Sequence, residues 1–279
     1  MESSSSLLIN RFFSRSTFRN PGEIGQNKAY TATIRRYVLD ADSKTNKECI
    51  SEVYEYLRKN YQNEYFYKNT LLNKLLLGIH SLRTTSALAE LPVEGSKADF
   101  ILINGKAVVY EIKTDLDNLE RLDGQISDYY KAFSRVTVVT SEGNYPDVEK
   151  RLNNTPTGIC VLTNRGTLSL RKNPEEYCAA LSQKTMFKIL RKNEYEEIVK
   201  TVYKMLPCVS QFEYYRACES LFEMLPVQEA YSLFLQQLKA RTRIEIHEYS
   251  KVPYELKYLV YFLRYKDRDY ATLNDFLNA

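Results

Sequence analysis

The polar side chains best suited to chemistry lie in one stretch, residues 90–129. They are Glu90, Asp99, Glu111, Lys113, Gln125 and Tyr129. Carboxylate oxygens are the ligands that Mg²⁺ and Mn²⁺ prefer, and three of these residues carry them. The backbone carbonyl of Ile112 would add a further oxygen. The stretch therefore predicts a metal site formed by Glu90, Asp99, Glu111 and Ile112.

Lys113 follows Glu111 by two residues, so on a strand both side chains point to the same face. The lysine would hold or deprotonate a water molecule and offset charge on an attacked phosphate. Gln125 and Tyr129 are four residues apart and project together from a helix, where they would orient the water or bind a phosphate. All six residues are therefore candidates for a catalytic role.

The elements that must position these residues begin where the hydrophobic pattern changes from helical to extended. Apolar, β-branched runs predict strands at 98–103, 106–112, 135–140, 158–162 and 166–170, and helical patterns predict helices at 116–133 and 147–152. Strands without strong alternation, joined by helices, indicate a mixed sheet with both faces covered. We therefore expect an α/β fold.

The turn between the first two strands decides whether the acids meet. A two-residue loop would leave Asp99 on the face opposite to Glu111. A three-residue loop that ends at a left-handed Gly105, with a bulge, would pair Leu102 with Lys106 and place Asp99 on the face of Glu111. We predict the three-residue loop.

The rest of the chain is predicted to be mainly helical. Helical spacing covers residues 28–39, 47–61 and 67–77, and amphipathic helices follow residue 174, with one short strand at 243–249. A polar beginning with a turn signal at residues 20–22 predicts a loosely held arm. The expected division is a flexible arm at 1–25, an α/β domain with N-terminal helices at 26–172, and an all-α C-terminal region at 173–279.

Four tyrosines near the C-terminus have two alternative interpretations. Tyr254, Tyr258, Tyr261 and Tyr265 share one helical face, with basic residues interleaved. The rings could stack on nucleic-acid bases while the cations contact phosphates. Helical spacing by itself predicts a buried face, so packing in the core is the favoured interpretation.

Charged residues beside the candidate site are assigned mainly to the scaffold. Asp117 and Glu120 have the spacing of a capping box at a helix start. Lys97 is expected on the other face of the strand that carries Asp99. Arg121 would bind phosphate or form a surface salt bridge.

Composition limits the other classes of function. A formal net charge of +4 in 279 residues is too small to indicate a nucleic-acid partner, although it is compatible with one. Five cysteines without a Cys-x-x-Cys pair and two distant histidines argue against a disulfide framework, a zinc site and an iron–sulfur cluster. Reduced thiols, with neither a signal peptide nor a long apolar span, indicate a cytoplasmic protein without a membrane partner.

The candidate residues resemble a known pattern. The series Glu90, Asp99, Glu111-Ile112-Lys113 and Gln125-x-x-x-Tyr129 resembles the PD-(D/E)XK nuclease superfamily, in particular members with a Gln-x-x-x-Tyr helix. The run EIKTDLDNLERL at 111–122 resembles a small bacterial and prophage family of uncharacterised nuclease-like proteins. The resemblance extends over residues 72–140, and Ala98 stands where the superfamily name has proline. It implies a restriction-endonuclease-like mixed β-sheet flanked by helices.

By this resemblance the three acids would bind Mg²⁺ or Mn²⁺, Lys113 would assist catalysis, and Gln125 and Tyr129 would support the site. The implied activity is metal-dependent hydrolysis of DNA, with RNA as an alternative substrate, in prophage biology or phage defence. The alternative is a catalytically silent nuclease fold that acts as a nucleic-acid-binding or assembly module. The C-terminal helices are candidates for self-association or for binding a partner protein.

Overall fold

A mixed six-stranded β-sheet organises the middle of the chain. The computed structural model describes residues 4–242 and 244–279. The strands are β1 (Ser86–Val93), β2 (Ser96–Asn104), β3 (Lys106–Lys113), β4 (Val136–Ser141), β5 (Gly158–Leu162) and β6 (Leu168–Lys172). They lie in this order in the sheet, with β1, β2 and β3 antiparallel and β4 parallel to β3. The expected mixed α/β architecture, with helices flanking the sheet, is confirmed at this level.

Helices account for most of the remaining chain. Before the sheet these are α1 (Ser4–Phe12), α2 (Arg15–Phe18), α3 (Lys28–Tyr37), α4 (Asn46–Asn60) and α5 (Glu64–Leu71), which continues as a π-helix at Leu72–Ile79. Within and after the sheet they are α6 (Leu122–Tyr130), α7 (Tyr145–Leu152), α8 (Gln183–Ile189), α9 (Lys192–Tyr203), α10 (Gln211–Glu223), α11 (Val227–Ala240), α12 (Ile246–Lys251), α13 (Lys257–Leu263) and α14 (Asp267–Asn278). Short 3₁₀ helices occupy Pro21–Gln26, Ala41–Ser43 and Tyr254–Leu256. In the described part of the chain, no helix combines the length and the apolar character needed to cross a membrane.

The chain forms two compact units whose limits differ from the expected division. The helical unit comprises Met1–Arg83, Leu162–Leu168 and Arg243–Ala279, and the sheet unit comprises Thr84–Val161 and Ser169–Thr242. The expected all-α region at 173–279 is indeed helical, but α8–α11 belong to the sheet unit and α12–α14 to the helical unit. Periodicity reveals that a helix has an apolar face, but it does not reveal which neighbour covers that face.

In the helical unit, the expected loose arm is instead an ordered part of the fold. Residues 4–26 form α1, α2 and a 3₁₀ helix, and Phe12, Phe18 and Ile24 are completely buried. Phe12 stacks on Tyr30 with 5.4 Å between ring centroids. Burial of each such side chain stabilises the folded state by about 2 kcal/mol. This gain outweighs the polar composition of the segment. Residues 1–3 of the expected arm lie outside the described residues.

In the helical unit, side-chain amides of α4 and α5 bond to the backbone of the C-terminal helices. Asn46 Nδ2 in α4 donates to the carbonyl of Phe276 at 2.9 Å. Asn69 in α5 donates to the carbonyl of Tyr254 and accepts from the backbone N–H of Tyr258, both at 3.0 Å. These bonds explain why α12–α14 belong with the N-terminal helices.

Core packing is confirmed for three of the four C-terminal tyrosines. Tyr258, Tyr261 and Tyr265 are buried, so the nucleic-acid platform is wrong for them, whereas Tyr254 stays 40% exposed. The strand expected at 243–249 is also corrected, because α12 begins at Ile246 and residues 244–249 form no strand. Arg243 lies outside the described residues.

Strand β1 was not expected from the sequence, and it changes the position of Glu90. Its sequence, SALAELPV, contains alanine, leucine and glutamate, which favour helices, and a proline, which disfavours an interior strand. β1 lies at the edge of the sheet, where a missing N–H donor is tolerated. Glu90 therefore lies within a strand and not before one.

The turn between β2 and β3 is tighter than predicted. Asn104 pairs with Lys106, and Leu102 pairs with Val108, so the predicted pairing of Leu102 with Lys106 is wrong. Gly105 alone reverses the chain, with the predicted left-handed backbone at φ +67°. The observed register differs from the predicted one by two positions, so residues keep the predicted faces of the sheet.

Helix α6 begins at Leu122, later than the predicted start at residue 116, and it is not capped by Asp117 and Glu120. Asp117 Oδ2 instead accepts from both the N–H and the hydroxyl of Thr114 at 2.8 Å. This side chain therefore closes the turn that follows β3. The predicted capping box is wrong, because the acid bonds backward to the strand end.

Gly105 and Gly124 provide a matched test of the turn. An added Cβ meets nothing within 4 Å at either position, but only Gly105 has a positive φ. Gly105→Ala should lower the free energy of unfolding by about 1–2 kcal/mol, and Gly124→Ala in α6 should raise it by about 0.5–1 kcal/mol. Denaturant unfolding followed by circular dichroism measures both, and equal effects at the two positions would contradict the strained turn.

Candidate active site

Glu111 is the most enclosed of the candidate acids, and donors surround its carboxylate. The residue lies on β3 and is 1% exposed. Its Oε1 accepts from Gln125 Nε2 at 2.6 Å and lies 2.9 Å from Lys113 Nζ, while its Oε2 accepts from Tyr129 Oη at 2.6 Å. A buried carboxylate needs such compensation, because loss of water costs several kcal/mol when no partner replaces it.

Gln125 and Lys113 also contact each other and complete a closed network. Lys113 Nζ donates to Gln125 Oε1 at 2.8 Å, while the amide nitrogen of Gln125 donates to Glu111. Lys113 is itself 8% exposed. The structure therefore brings together four of the predicted residues, with Gln125 and Tyr129 projecting from α6 as their spacing predicted.

Tyr129 remains a hydrogen-bond donor throughout the ordinary pH range. Burial, and then the charge of Glu111 and the hydrogen bond to it, raise the pKa of the Tyr129 phenol well above its usual value. Its hydroxyl also lies 3.0 Å from the carbonyl oxygen of Lys97. One side chain of α6 thus holds both the carboxylate of β3 and the backbone of β2.

Asp99 lies on β2 beside Glu111. Phe100 pairs with Tyr110, so continuation of that register by one residue places Asp99 opposite Glu111 and on the same face. Asp99 Oδ2 accepts from the backbone N–H of Ile112 at 2.9 Å. Ile112 therefore contributes its N–H to the acid, and the proposed role of its carbonyl as a metal ligand remains a prediction.

Glu90 occupies a distorted position in β1 opposite Asp99. The ladder pairs Ala89 with Phe100 and Leu91 with Ala98, and Glu90 and Asp99 face each other between these pairs. Glu90 has a left-handed backbone, φ +56°, which costs a residue other than glycine about 1–2 kcal/mol. Carboxylate oxygens of Glu90 and Asp99 lie within 4.8 Å of each other. Backbone strain of this kind is concentrated at functional sites.

The three acids therefore form a row across β1, β2 and β3, but they differ in their partners. Glu90 and Asp99 have carboxylate oxygens within 4.8 Å of each other. Glu111 is instead bonded to its own donors. The row thus has an outer acidic pair and an inner carboxylate that is paired with Lys113.

Lys97 is a member of this site that the sequence interpretation misplaced. Lys97 and Asp99 are two residues apart on β2, so they share a face, and the expectation of opposite faces is wrong. Lys97 Nζ forms an ion pair with Glu90 Oε2 at 2.5 Å. The strand period alone places Lys97 on the face of Asp99, whereas the pairing of Lys97 with Glu90 depends on β1, which the sequence did not predict.

A second contact between α6 and β2 was also missed. Asp128 Oδ2 accepts from the Ser96 hydroxyl at 2.8 Å, and Asp128 Oδ1 lies 2.8 Å from Lys131 Nζ. Burial favours the neutral acid, but the hydrogen bonds from Lys131 and Ser96 outweigh it and lower the pKa of Asp128. Arg121, a candidate phosphate ligand, is exposed at the beginning of α6.

Comparison with known proteins identifies the family. The family described as Bacteriophage P4 protein cII matches residues 57–253, which is more than half of the chain and includes every residue of the candidate site. This chain belongs to the bacteriophage P4 protein cII family.

Individual relatives match over shorter stretches. The protein cII of Enterobacteria phage P4 is 27% identical over 104 residues, which are 37% of this chain and 39% of that protein. The aligned part therefore spans well under half the length of this relative. Among solved structures, a protein of unknown function from Silicibacter pomeroyi is similar at 11% identity, with 46% of this chain and 87% of that chain covered and a TM-score of 0.29.

Two lysines provide a matched test of the closed network. Lys113→Met removes the ammonium that pairs with the buried Glu111 carboxylate. This substitution should lower the free energy of unfolding by about 3–5 kcal/mol. Lys97→Met breaks an ion pair whose lysine side chain is 58% exposed, and it should cost about 0–1 kcal/mol. Denaturant unfolding measures both variants.

The double variant Lys113→Met with Glu111→Gln removes both charges and should recover part of the loss. An equal cost for the two single lysine variants would contradict the account of Glu111 as a buried, compensated carboxylate.

Proposed function

We propose that this protein is a metal-dependent nuclease that hydrolyses phosphodiester bonds in DNA. The observation that carries the proposal is the closed network of Glu111, Lys113, Gln125 and Tyr129, which lies beside Asp99 of β2. A network of this kind holds a lysine ammonium and a carboxylate in fixed positions on one face of a sheet, as a preorganised catalytic site requires.

The donor set fits a hard divalent cation. The candidate ligands Glu90, Asp99 and Glu111 offer oxygen atoms alone, which suits Mg²⁺ or Mn²⁺ better than a metal that prefers thiolate or imidazole. Glu90 already attracts a cation, the Lys97 ammonium at 2.5 Å. Both oxygens of Glu111 already have donors within the network. The proposal therefore assigns the ion to the outer pair, Glu90 and Asp99, with Glu111 at its inner side.

The side chains of the network have distinct roles in this proposal. When bound, the ion supplies Lewis-acid polarisation of a phosphate group. Lys113 Nζ holds the attacking water and offsets negative charge that develops on the phosphate. Tyr129 stays protonated, so it keeps donating to Glu111 and fixes the orientation of that carboxylate. Gln125 couples the positions of Glu111 and Lys113 through its amide.

The arrangement of elements supports a restriction-endonuclease-like fold as the finer description. Three antiparallel strands, β1–β3, are followed by α6 and then by β4, which is parallel to β3. The acids lie on the three antiparallel strands, and the Gln-x-x-x-Tyr side chains come from the helix between the parallel pair. We assign the site to the PD-(D/E)XK class on this basis.

The proposed setting follows from the substrate and the family. A DNA hydrolase with free cysteines would act in the cytoplasm, and a relative in a phage supports a role in prophage biology or phage defence. RNA is retained as an alternative substrate. Self-association or a partner protein would involve the C-terminal helices.

One observation favours a second candidate, a catalytically silent nucleic-acid-binding or assembly module. Each oxygen of Glu111 has a donor, and Lys97 neutralises Glu90, so this constellation is electrostatically satisfied without an added ion. A protein that used its acids only for stability would have this arrangement. Cleavage assays distinguish the two candidates.

Cleavage of supercoiled, linear, nicked and single-stranded DNA, with one RNA substrate, tests the proposal. The wild-type protein should cleave at least one DNA form with Mg²⁺, and removal of the metal by chelation should abolish cleavage. Asp99→Asn should reduce the rate by about 100-fold or more, because it removes a charged ligand without changing the side-chain shape. Asp123→Asn is the matched control, since Asp123 forms an exposed ion pair with Arg151.

The control should retain the wild-type rate within about threefold, as expected for an exposed ion pair. The absence of metal-dependent cleavage for all substrates, with DNA binding retained, would favour the silent module. Cleavage that survives Asp99→Asn unchanged would exclude this site as its source.

A further inference from the structure

The ion pair between Glu90 and Lys97 differs in kind from the pair inside the network. Lys97 Nζ lies 2.5 Å from Glu90 Oε2, and the lysine side chain is 58% exposed and that of Glu90 30% exposed. The side chain of Lys113, by contrast, is 11% exposed and has two short polar contacts. A lysine on a flexible, solvated stem is released from its partner at low cost.

Lys97 contacts one of the two outer acids that an ion at this position would bind. Glu90 and Asp99 have carboxylate oxygens within 4.8 Å of each other, and the ammonium contacts one of these two acids. An ammonium and a divalent ion on the same carboxylate repel each other, since both carry positive charge at close range, so they compete for Glu90.

We infer that Lys97 is a resident counter-ion that a divalent cation must displace from Glu90, so that Lys97 sets the metal affinity of the site. The inference rests on the proposed function, because it concerns the same acids. Displacement leaves the ammonium exposed on the same face as Asp99, where it can pair with the phosphate of an anionic substrate. Metal and substrate would then bind cooperatively, because the ion frees a cation for the substrate.

Mn²⁺ affinity of the full-length protein, measured by the loss of the free-ion paramagnetic resonance signal, tests the inference. Lys97→Met should bind Mn²⁺ about three- to fivefold more tightly than the wild type, which is the scale of an exposed ion pair. Lys131→Met is the matched control, because it removes the same charge from a surface ion pair with Asp128, outside the row of acids. The control should change the affinity less than twofold.

Release of Lys97 is measured by pulse acetylation and mass spectrometry. Saturating Mg²⁺ should raise the acetylation rate at Lys97 and leave that at Lys131 unchanged. An affinity of Lys97→Met that equals or falls below the wild-type value would overturn the inference, and so would an unchanged acetylation rate at Lys97.

The same titration separates this inference from the proposed function. If Mn²⁺ does not bind the wild type, or if Asp99→Asn binds it equally well, the metal site itself is wrong, and the inference is overturned with it. If Mn²⁺ binds and Asp99→Asn abolishes binding, but Lys97→Met has no effect, only the role of Lys97 is overturned.

Discussion

Burial of the Glu111 carboxylate is the constraint on which the sheet unit depends. A carboxylate that is 1% exposed must have donors for both oxygens, and a single strand supplies only one of them, Lys113. The others come from α6, so that helix must lie on this face of β3 with Gln125 and Tyr129 directed inward. The same helix connects β3 to β4, which is parallel to β3 and needs such a connection. The Glu111 carboxylate thus ties α6 to β3, and α6 leads the chain on to β4.

The outer acids follow a different physical rule. Glu90 and Asp99 are closer to solvent than Glu111, and their charge is balanced in part by an exposed lysine. Interactions of exposed ions are weak and exchange readily, whereas a buried pair is costly to break. In the function proposed above, the enclosed inner part of the site would hold the catalytic groups, and the outer part would exchange one cation for another. Glu90 has a left-handed backbone and lies on β1, the strand at the edge of the sheet.

The sequence predicted the part of the site that local patterns determine. Strand period places Glu111 and Lys113 on one face, and helical period places Gln125 beside Tyr129; both relations appear in the structure. The position of Glu90 depended on β1, whose composition favours a helix, so its pairing with Lys97 could not be recognised. The division into units depended on which helices share a core, and residues distant in sequence, such as Asn46 and Phe276, decide that. Local period carries no information about such contacts.

We propose that the acids of β1, β2 and β3 form a divalent-cation site. The most direct measurement is an anomalous difference map from crystals of the protein grown with Mn²⁺. We expect a peak coordinated by carboxylate oxygens of Asp99 and Glu90, with the Lys97 ammonium displaced from Glu90. A map in which Mn²⁺ binds elsewhere, or in which Lys97 still contacts Glu90 and no peak lies at Asp99, would contradict the account.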